Sequence, residues 1–481
     1  MEQQHMFTNR MIRNLLVPVV LEQILNSIMG TADTMMVSNV GSAALSAVSL
    51  VDSINILLIQ AFSALAAGGA IVCAQYIGQK NYEKANMSAR QVLFIITAIS
   101  VAVSAVCLIF QKPLLRLIFG AVEADVMRAS ETYFFFTALS FPFIAAYDSA
   151  ASIFRAQENT RGPMMISMIS NVMNIGGNAI LIWVFHLGVA GAAVSTLVSR
   201  IFCAVVVLYQ LRKDRQPIVV RNYLKIRPDW SMIGRILGLG IPSGIENSMF
   251  QLGKLAIQST VSTLGTTAIA AQAMTNILEN LNGIAAIGVG VGLMTIVGQC
   301  LGAGRKDEAV YYIKKLCVIA ECVIIVSCLI VYVLARPVTI LGGMEKTSAA
   351  MCIHMINWIT IVKPLVWTMG FVPGYGLRAA GDVKFSMITS CCTMWACRFC
   401  LCVFLIRVLG FGPMGVRIGI FTDHVFSGSS AHYRADLHAL GHITRMVNLL
   451  HIPGGQPDLV AVGGITLGGA VYDLALGQLA L

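Results

Sequence analysis

The chain has 481 residues, of which 57% are apolar and only 12% charged, and its mean hydropathy is +0.77. That is more apolar surface than a soluble core can hide, which excludes a water-soluble globular fold and implies lipid as the solvent. The net charge of +10 comes from Lys and Arg scattered between apolar stretches rather than gathered on one face, so no nucleic-acid partner is expected.

The first apolar stretch begins near Asn14 and runs well past the length of a signal-peptide core, so the first span itself is expected to direct insertion. Stretches 91–111, 132–152, 187–210 and 316–335 are each long enough to cross a hydrocarbon layer about 30 Å thick as a helix. Their apolar residues are continuous rather than alternating, which predicts helices and not barrel strands. The basic run 211–230, with Pro217 and Pro228, reads as a polar linker. From about Ser427 the sequence becomes Gly-rich with several His, and His438 and His442 stand one helical turn apart without a third ligand at a fixed spacing. The thirteen Cys lie almost all within apolar spans as small buried hydrophobes, so the CxxC of Cys397 and Cys400 is read as structural, and no metal and no cofactor are expected.

An internal repeat organises the chain. At an offset of 224, residues 18–85 align with 242–309 without a gap, placing Pro18 on Pro242, Glu22 on Glu246, Gly41 on Gly265, Gln75 on Gln299 and Gly78 on Gly302. Arg155-Ala156 matches Arg378-Ala379 at 223, and Gly191 matches Gly415 at 224. Six spans per copy make the repeats parallel, related by an axis along the bilayer normal. The predicted fold is an all-α integral membrane protein of about twelve transmembrane helices in two parallel six-helix repeats. Its parts are an N-terminal lobe 1–211, a linker 212–230, a C-terminal lobe 231–426 and an atypical tail 427–481. Alternate loops carry twenty Lys and Arg on one side and six on the other, which places the N-terminus and the linker in the cytoplasm of a plasma or inner membrane.

Ionisable residues inside spans are costly, so each is a candidate for function. Those singled out are Glu22 and Asp33 on the first span, Glu246 and Lys254 on the seventh, Glu279 on the eighth, Glu321 on the ninth, His354 and Lys363 on the tenth and Arg398 on the eleventh. Asp33 follows Glu22 by eleven residues, about three turns, so both share one helix face at different depths. Asn174 and Asn178 share a face of the fifth span, and Thr196 lies on the sixth; amides of this kind can coordinate a cation or simply join helices. Glu246, Lys254, Glu279 and Lys363, with Glu22, are expected to charge a substrate cavity, and Glu246 is expected to pair with Lys363. Pro18 and Pro242 fit either a first helical turn or a bend. Gly288-Val-Gly290-Val-Gly292 lacks the Lys and Ser/Thr of a phosphate loop and reads as close helix packing. The pair Tyr147-Asp148 and Gly381-Asp382 only superficially matches intramembrane proteases, since Ala379 stands where that motif has Gly.

Over residues 10–426 the sequence resembles the multidrug and toxic compound extrusion (MATE) transporters. The resemblance rests on VPVVLEQILNSIMGTADTMMVSNVGSAALSAVS, on AQYIGQKNYEKA with its repeat GQCLGAGRKDEA, on NIGGNAILIWVFHLGVAGAAVST, and on YGLRAAGDVKFS followed by GFGPMGVRIGIFTD. It implies a V-shaped pair of lobes that export organic, often cationic, small molecules against entering Na⁺ or H⁺, with Asp33, Asn174 and Thr196 in a first-lobe cation site. Asn178 stands where many relatives have an aspartate, and Phe250 where some have a second-lobe carboxylate. With Asp33 read as the sole carboxylate beside Asn174, Asn178 and Thr196, the charge count favours H⁺ over Na⁺. The alternative is a flippase for a lipid or lipid-linked substrate. No dense set of His, Asp or Ser suggests an enzyme within 10–426, and a monomer in the bilayer is expected.

Overall fold

The computed structural model describes residues 5–430, apart from 121–122, 214–215, 222 and 224–226. The helix that opens the predicted tail runs on through 430, while His438 and His442 lie outside the described residues. The first lobe contains α1 (Asn9–Ser38), α2 (Ser42–Gly78), α3 (Tyr82–Ile109), the short α4 (Gln111–Phe119), α5 (Ala124–Ala156), α6 (Arg161–Val184) and α7 (Gly188–Leu211). The second contains α8 (Trp230–Val261), α9 (Thr266–Gly302), α10 (Lys306–Leu341), α11 (Lys346–Ala379), α12 (Val383–Arg407) and α13, residues 414–430. Ten of these helices are long and apolar enough to cross a bilayer by composition alone. With α8, which is 32 residues long, and α13, they make the twelve spans the sequence predicts.

Local chemistry sets the helix ends. The Asn81 carboxamide accepts from the Lys84 amide at 3.1 Å, and Asp229 accepts from Ser231 and Met232 at 3.0 and 3.2 Å, which caps α3 and α8. Gly41 and Gly265, equated by the repeat, start α2 and α9 with φ of 143° and 93°, where a side chain would be strained. Pro18 and Pro242 lie well inside α1 and α8, so the first-turn reading does not hold. The membrane helices bury small residues where they cross, as expected without a hydrophobic drive between helices in lipid. The glycines of Gly288-Val-Gly290-Val-Gly292 do this: Cβ atoms on Gly288 and Gly292 would meet Val20 and Leu16 of α1 at 2.9 and 2.3 Å.

Each lobe has its own apolar core, and the lobes exchange helix ends. Phe7, Ile12, Leu15 and Leu16 of α1 and the segment before it join the second-lobe core on α9–α11, while Met232 and Ile236 of α8 join the first-lobe core. Cross-lobe hydrogen bonds gather at the end that carries the basic loops. There Gln75 donates to the Ala379 carbonyl at 3.1 Å and Gln299 to the Ala156 carbonyl at 2.9 Å, a pair of bonds related by the sequence repeat. Between them Gly78 lies against the Gln299 carbonyl and Gly302 against the Gln75 carbonyl, so tightly that a Cβ on either would come within 2.1 and 2.0 Å of oxygen. Away from that end the close α2–α8 contact runs through Gly68 on Gly240 to Gly244 beside Ala61, and the α1–α9 contact through Gly292 on Leu16 to Gly288 on Val20; beyond them Met35, Ile56, Leu255 and Ile277 of α1, α2, α8 and α9 are 48–64% exposed. The lobes therefore close at one end of the membrane body and leave these helices uncovered at the other.

This contact is testable. Gly78→Ala and Gly302→Ala push a methyl into a backbone carbonyl that cannot move aside, so either should open the basic end. Amide hydrogen exchange over 75–85 and 299–309 should accelerate by about tenfold or more in detergent or nanodiscs. Unchanged exchange would mean that some other contact holds this end shut.

Candidate functional site

The predicted first-lobe residues converge. Asn178 of α6 donates to the Asp33 carboxylate of α1 at 2.6 Å and to the Asn174 carboxamide oxygen at 3.3 Å, and Asn174 donates to the Thr196 hydroxyl of α7 at 3.2 Å. Ser195 fixes the Asn174 backbone carbonyl at 2.9 Å. Asn174 and Asn178 are buried, and the Asn178 side-chain oxygen has no hydrogen-bond partner. Just beyond Asn178, α6 widens into a π-helical turn, Ile180–Val184, a distortion that re-aims side chains and recurs at functional sites.

Asp33 is not the sole carboxylate there, which corrects the charge count. Asp52 of α2 lies within electrostatic reach of it and accepts from Asn55 at 3.2 Å and from Tyr133 at 3.3 Å. Asp148 of α5 accepts from the Ser63 hydroxyl. Arg200 of α7 acts on Asp33, Asp52 and Asp148 together and donates to Ser140 at 2.6 Å. The sequence carried a signal for each, since Asp52 and Arg200 interrupt apolar runs as plainly as Asp33 does.

Glu22 and Glu246 do not stand free in a cavity. Glu22 accepts from Arg155 at 3.4 Å and Tyr147 at 3.1 Å; Glu246 accepts from Arg378 at 2.7 Å, Ser390 at 2.7 Å and Ser386 at 3.4 Å. The repeat equates Glu22 with Glu246 and Arg155 with Arg378, so these are one ion pair made twice, near the end where the lobes meet. The expected pairing of Glu246 with Lys363 is not formed, because Arg378 on α11 already satisfies the glutamate.

The remaining second-lobe candidates form a separate cluster. Lys363 of α11, 2% exposed, donates to the backbone carbonyl of Glu279 at 3.3 Å, and its ammonium sits 5.6 Å from the Trp367 ring centre. The Glu279 carboxylate on α9 pairs with Arg417 of α13, which also donates to Asn276 at 2.9 Å and Gln272 at 3.1 Å. Arg398 of α12 lies 3.7 Å from Asp423, on the π-helical turn Met394–Cys400. Lys254 is exposed, and its ammonium and the Arg398 guanidinium each lie 4.8 Å from the Phe250 ring. Arg417, Asp423 and His424 are the members that sequence reasoning passed over, because α13 was read only as the last span before the tail.

Twelve spans in two lobes, with polar clusters held inside the membrane body, define a transporter of the two-repeat kind. Comparison with known proteins gives the family. The MatE family profile matches residues 18–180 and 242–404, two blocks whose starts are 224 residues apart, the offset of the internal repeat. The chain belongs to the MatE family, the multidrug and toxic compound extrusion transporters. It is 25% identical over 413 residues to the probable multidrug resistance protein YoeA of Bacillus subtilis, covering 84% of this chain and 88% of that one. It is 24% identical over 419 residues to the probable multidrug resistance protein NorM of Thermotoga maritima, covering 86% and 89%. An outward-facing MATE family transporter of the MOP superfamily superposes with a TM-score of 0.84 at 19% identity, over 90% of this chain and 96% of that one.

Removing one member of a largely buried ion pair costs about 3–5 kcal/mol, because the other charge is left unpaired. Glu246→Gln and Arg378→Met should therefore each lower the unfolding midpoint in detergent, and the double variant should recover much of the loss. Glu246→Gln and Lys363→Met should instead add within about 0.5 kcal/mol. Strong coupling in the second cycle, or none in the first, would contradict the pairing.

Proposed function

We propose that the chain is a proton-coupled antiporter that exports small organic compounds by alternating access, with Asp33 as the carboxylate that carries the coupling proton. One observation supports this above the others: Asp33 is the carboxylate that bonds directly to the buried Asn174–Asn178–Thr196 network, on three helices of one lobe. A charged Asp33 accepts from the Asn178 amide; a protonated one has an O–H to donate, and rotation of the same amide would offer it the unpartnered Asn178 oxygen. The unpartnered Asn178 oxygen is thus an acceptor available to the protonated form. A bound Na⁺ would gather oxygens from the same residues, and the Arg200 guanidinium within reach of the site disfavours added positive charge of either kind, Na⁺ or proton, so the choice between them rests on the network. The acidic first lobe also offers partners to cationic compounds.

The basic loops support a cytoplasmic placement for the end at which the lobes close. On that reading this is the outward-open state, with the N-terminus inside the cell membrane. Because a ligand shifts a conformational equilibrium only by its differential affinity for the two states, the proton must bind this open form and the closed one unequally.

Asp33→Asn keeps side-chain volume and removes the proton site, so it should insert and fold normally while gradient-driven export of rhodamine 6G from proteoliposomes falls to background. On the parent protein, a pH gradient without Na⁺ should drive export, and a Na⁺ gradient at equal pH should not. Export driven by Na⁺ alone would overturn the proton assignment, and full transport by Asp33→Asn would overturn the site.

A further inference from the structure

The two lobes differ in the sign of the charge they carry on their membrane spans. In the first, Asp33, Asp52 and Asp148 outnumber Arg200. In the second, Lys254, Lys363, Arg398 and Arg417 outnumber Glu279 and Asp423, and still do so if Glu321 of α10 is included. The repeat shows that this is not shared scaffolding: at the offset of 224, Asp33 corresponds to Ile257 and Asp52 to Asn276, whereas Lys254 replaces Gly30. A cationic excess in lipid is expensive, and burial without an anion is tolerated only where one arrives from elsewhere.

Three features point to a missing anion. The Lys363 ammonium, almost wholly buried, has as its recorded hydrogen-bond partner a helical carbonyl rather than a carboxylate. Arg398, 6% exposed, keeps a buried Nε–H with no acceptor, and its carboxylate partner Asp423 lies at 3.7 Å, beyond hydrogen-bond distance. Lys254 lies fourteen residues beyond Gly240, about four turns, so it shares the face with which α8 meets α2, yet it is exposed because α2 no longer covers this depth. Its ammonium and the buried Arg398 guanidinium rest against one Phe250 ring, which links the uncovered end of the lobe to the cluster.

We propose that this second-lobe cluster is a binding site for the anionic group, a carboxylate or phosphate, of an amphipathic organic cargo. Lys254 receives the anion at the mouth, Arg398 and Lys363 hold it within, and the Trp367–Phe371 stack, with centres 4.7 Å apart, offers an apolar surface to the rest of the molecule. Guanidinium groups suit such an anion because their planar donors match its oxygens. This builds on the export reading, and adds that the cargo's charge is read by the lobe opposite the one that carries the proton.

The test separates binding from coupling. Carboxyfluorescein binding to the purified protein in detergent, followed by fluorescence polarisation, should weaken by about tenfold or more in Lys254→Gln and Lys363→Met and stay unchanged in Lys112→Gln, an exposed lysine outside both clusters. Lys254 is exposed, so Lys254→Gln decides the matter should Lys363→Met unfold. The methyl ester of the dye should bind at least about tenfold more weakly than the free acid, and a phosphorylated fluorescein compared with the acid tells which anion is preferred. Equal binding of ester and acid, or full binding by Lys254→Gln, would overturn the site. Rhodamine 6G losing affinity in Lys254→Gln as much as carboxyfluorescein does would also overturn it. Tight, Lys254-dependent binding without gradient-driven export would uphold the site and instead refute the export reading.

Discussion

Lipid offers no partner to a polar group, so every charge placed within the membrane body must be answered by another part of the protein. Most of what is specific about this chain follows from how that demand is met. Glu22 and Glu246 are met by arginines that the repeat places identically, and these pairs tie α1 to α5 and α8 to α11 near the closed end. The answers are incomplete even there, since Arg378 keeps one buried Nε–H without a partner, and they are incomplete elsewhere. The Asn178 oxygen and the Arg398 and Arg417 Nε–H groups are buried without partners, and they lie beside the clusters on which the proposed transport rests. Unsatisfied groups of this sort cost about 1–3 kcal/mol each, a standing cost that a transporter can recover when an ion or a cargo arrives.

Symmetry divides the molecule in a second way. At the closed end four contacts obey the repeat: Gln75 and Gln299 swap carbonyl partners, and Gly78 and Gly302 each receive the other lobe's backbone. An interface of this kind is bistable, since backbone against backbone with no side chain between is either fully engaged or parted. Toward the open end the repeat is abandoned: Asp33 and Asp52 have Ile257 and Asn276 as their equivalents, and Lys254 stands where the first lobe has Gly30. Gene-level duplication would make both halves alike, so the difference marks where the two lobes have taken separate tasks.

Much of the fold was legible in the sequence because its signals are local or nearly so. Apolar length gives the spans, and the gapless alignment of 18–85 with 242–309 gives the two lobes. α8 shows the limit of hydropathy: its charged and polar residues keep it below the threshold met by ten others, and the repeat rather than its composition identifies it. The site was partly legible. Asp33, Asn174, Asn178 and Thr196 were singled out, and three helices of one lobe bring them together. Partner choice was not legible. Nothing in the spacing says that Glu246 finds Arg378 rather than Lys363, because that depends on the rotation of α11, which its packing against α9 and α10 decides. Arg417 was passed over for the same reason, its significance being visible only when α13 sets it against Glu279.

The division of charge bears on how export could be driven. If the proton and the cargo shared one lobe, they could compete for the same groups, and exchange would follow from simple displacement. Here Asp33 and the basic cluster sit on opposite lobes, so coupling has to pass through the one element both touch, which is the closure of α1 and α2 on α8 and α9. Each ligand then biases that closure by its own difference in affinity between the two states, and linkage makes the bias reciprocal. Protonating the first lobe removes negative charge and filling the second with an anion offsets positive charge, and in a low-dielectric setting such changes act over distances that contacts do not. The closed end needs no chemistry of its own in this scheme. Its symmetric backbone contact has only to be weak enough that a difference of about 1–3 kcal/mol in binding decides whether it holds.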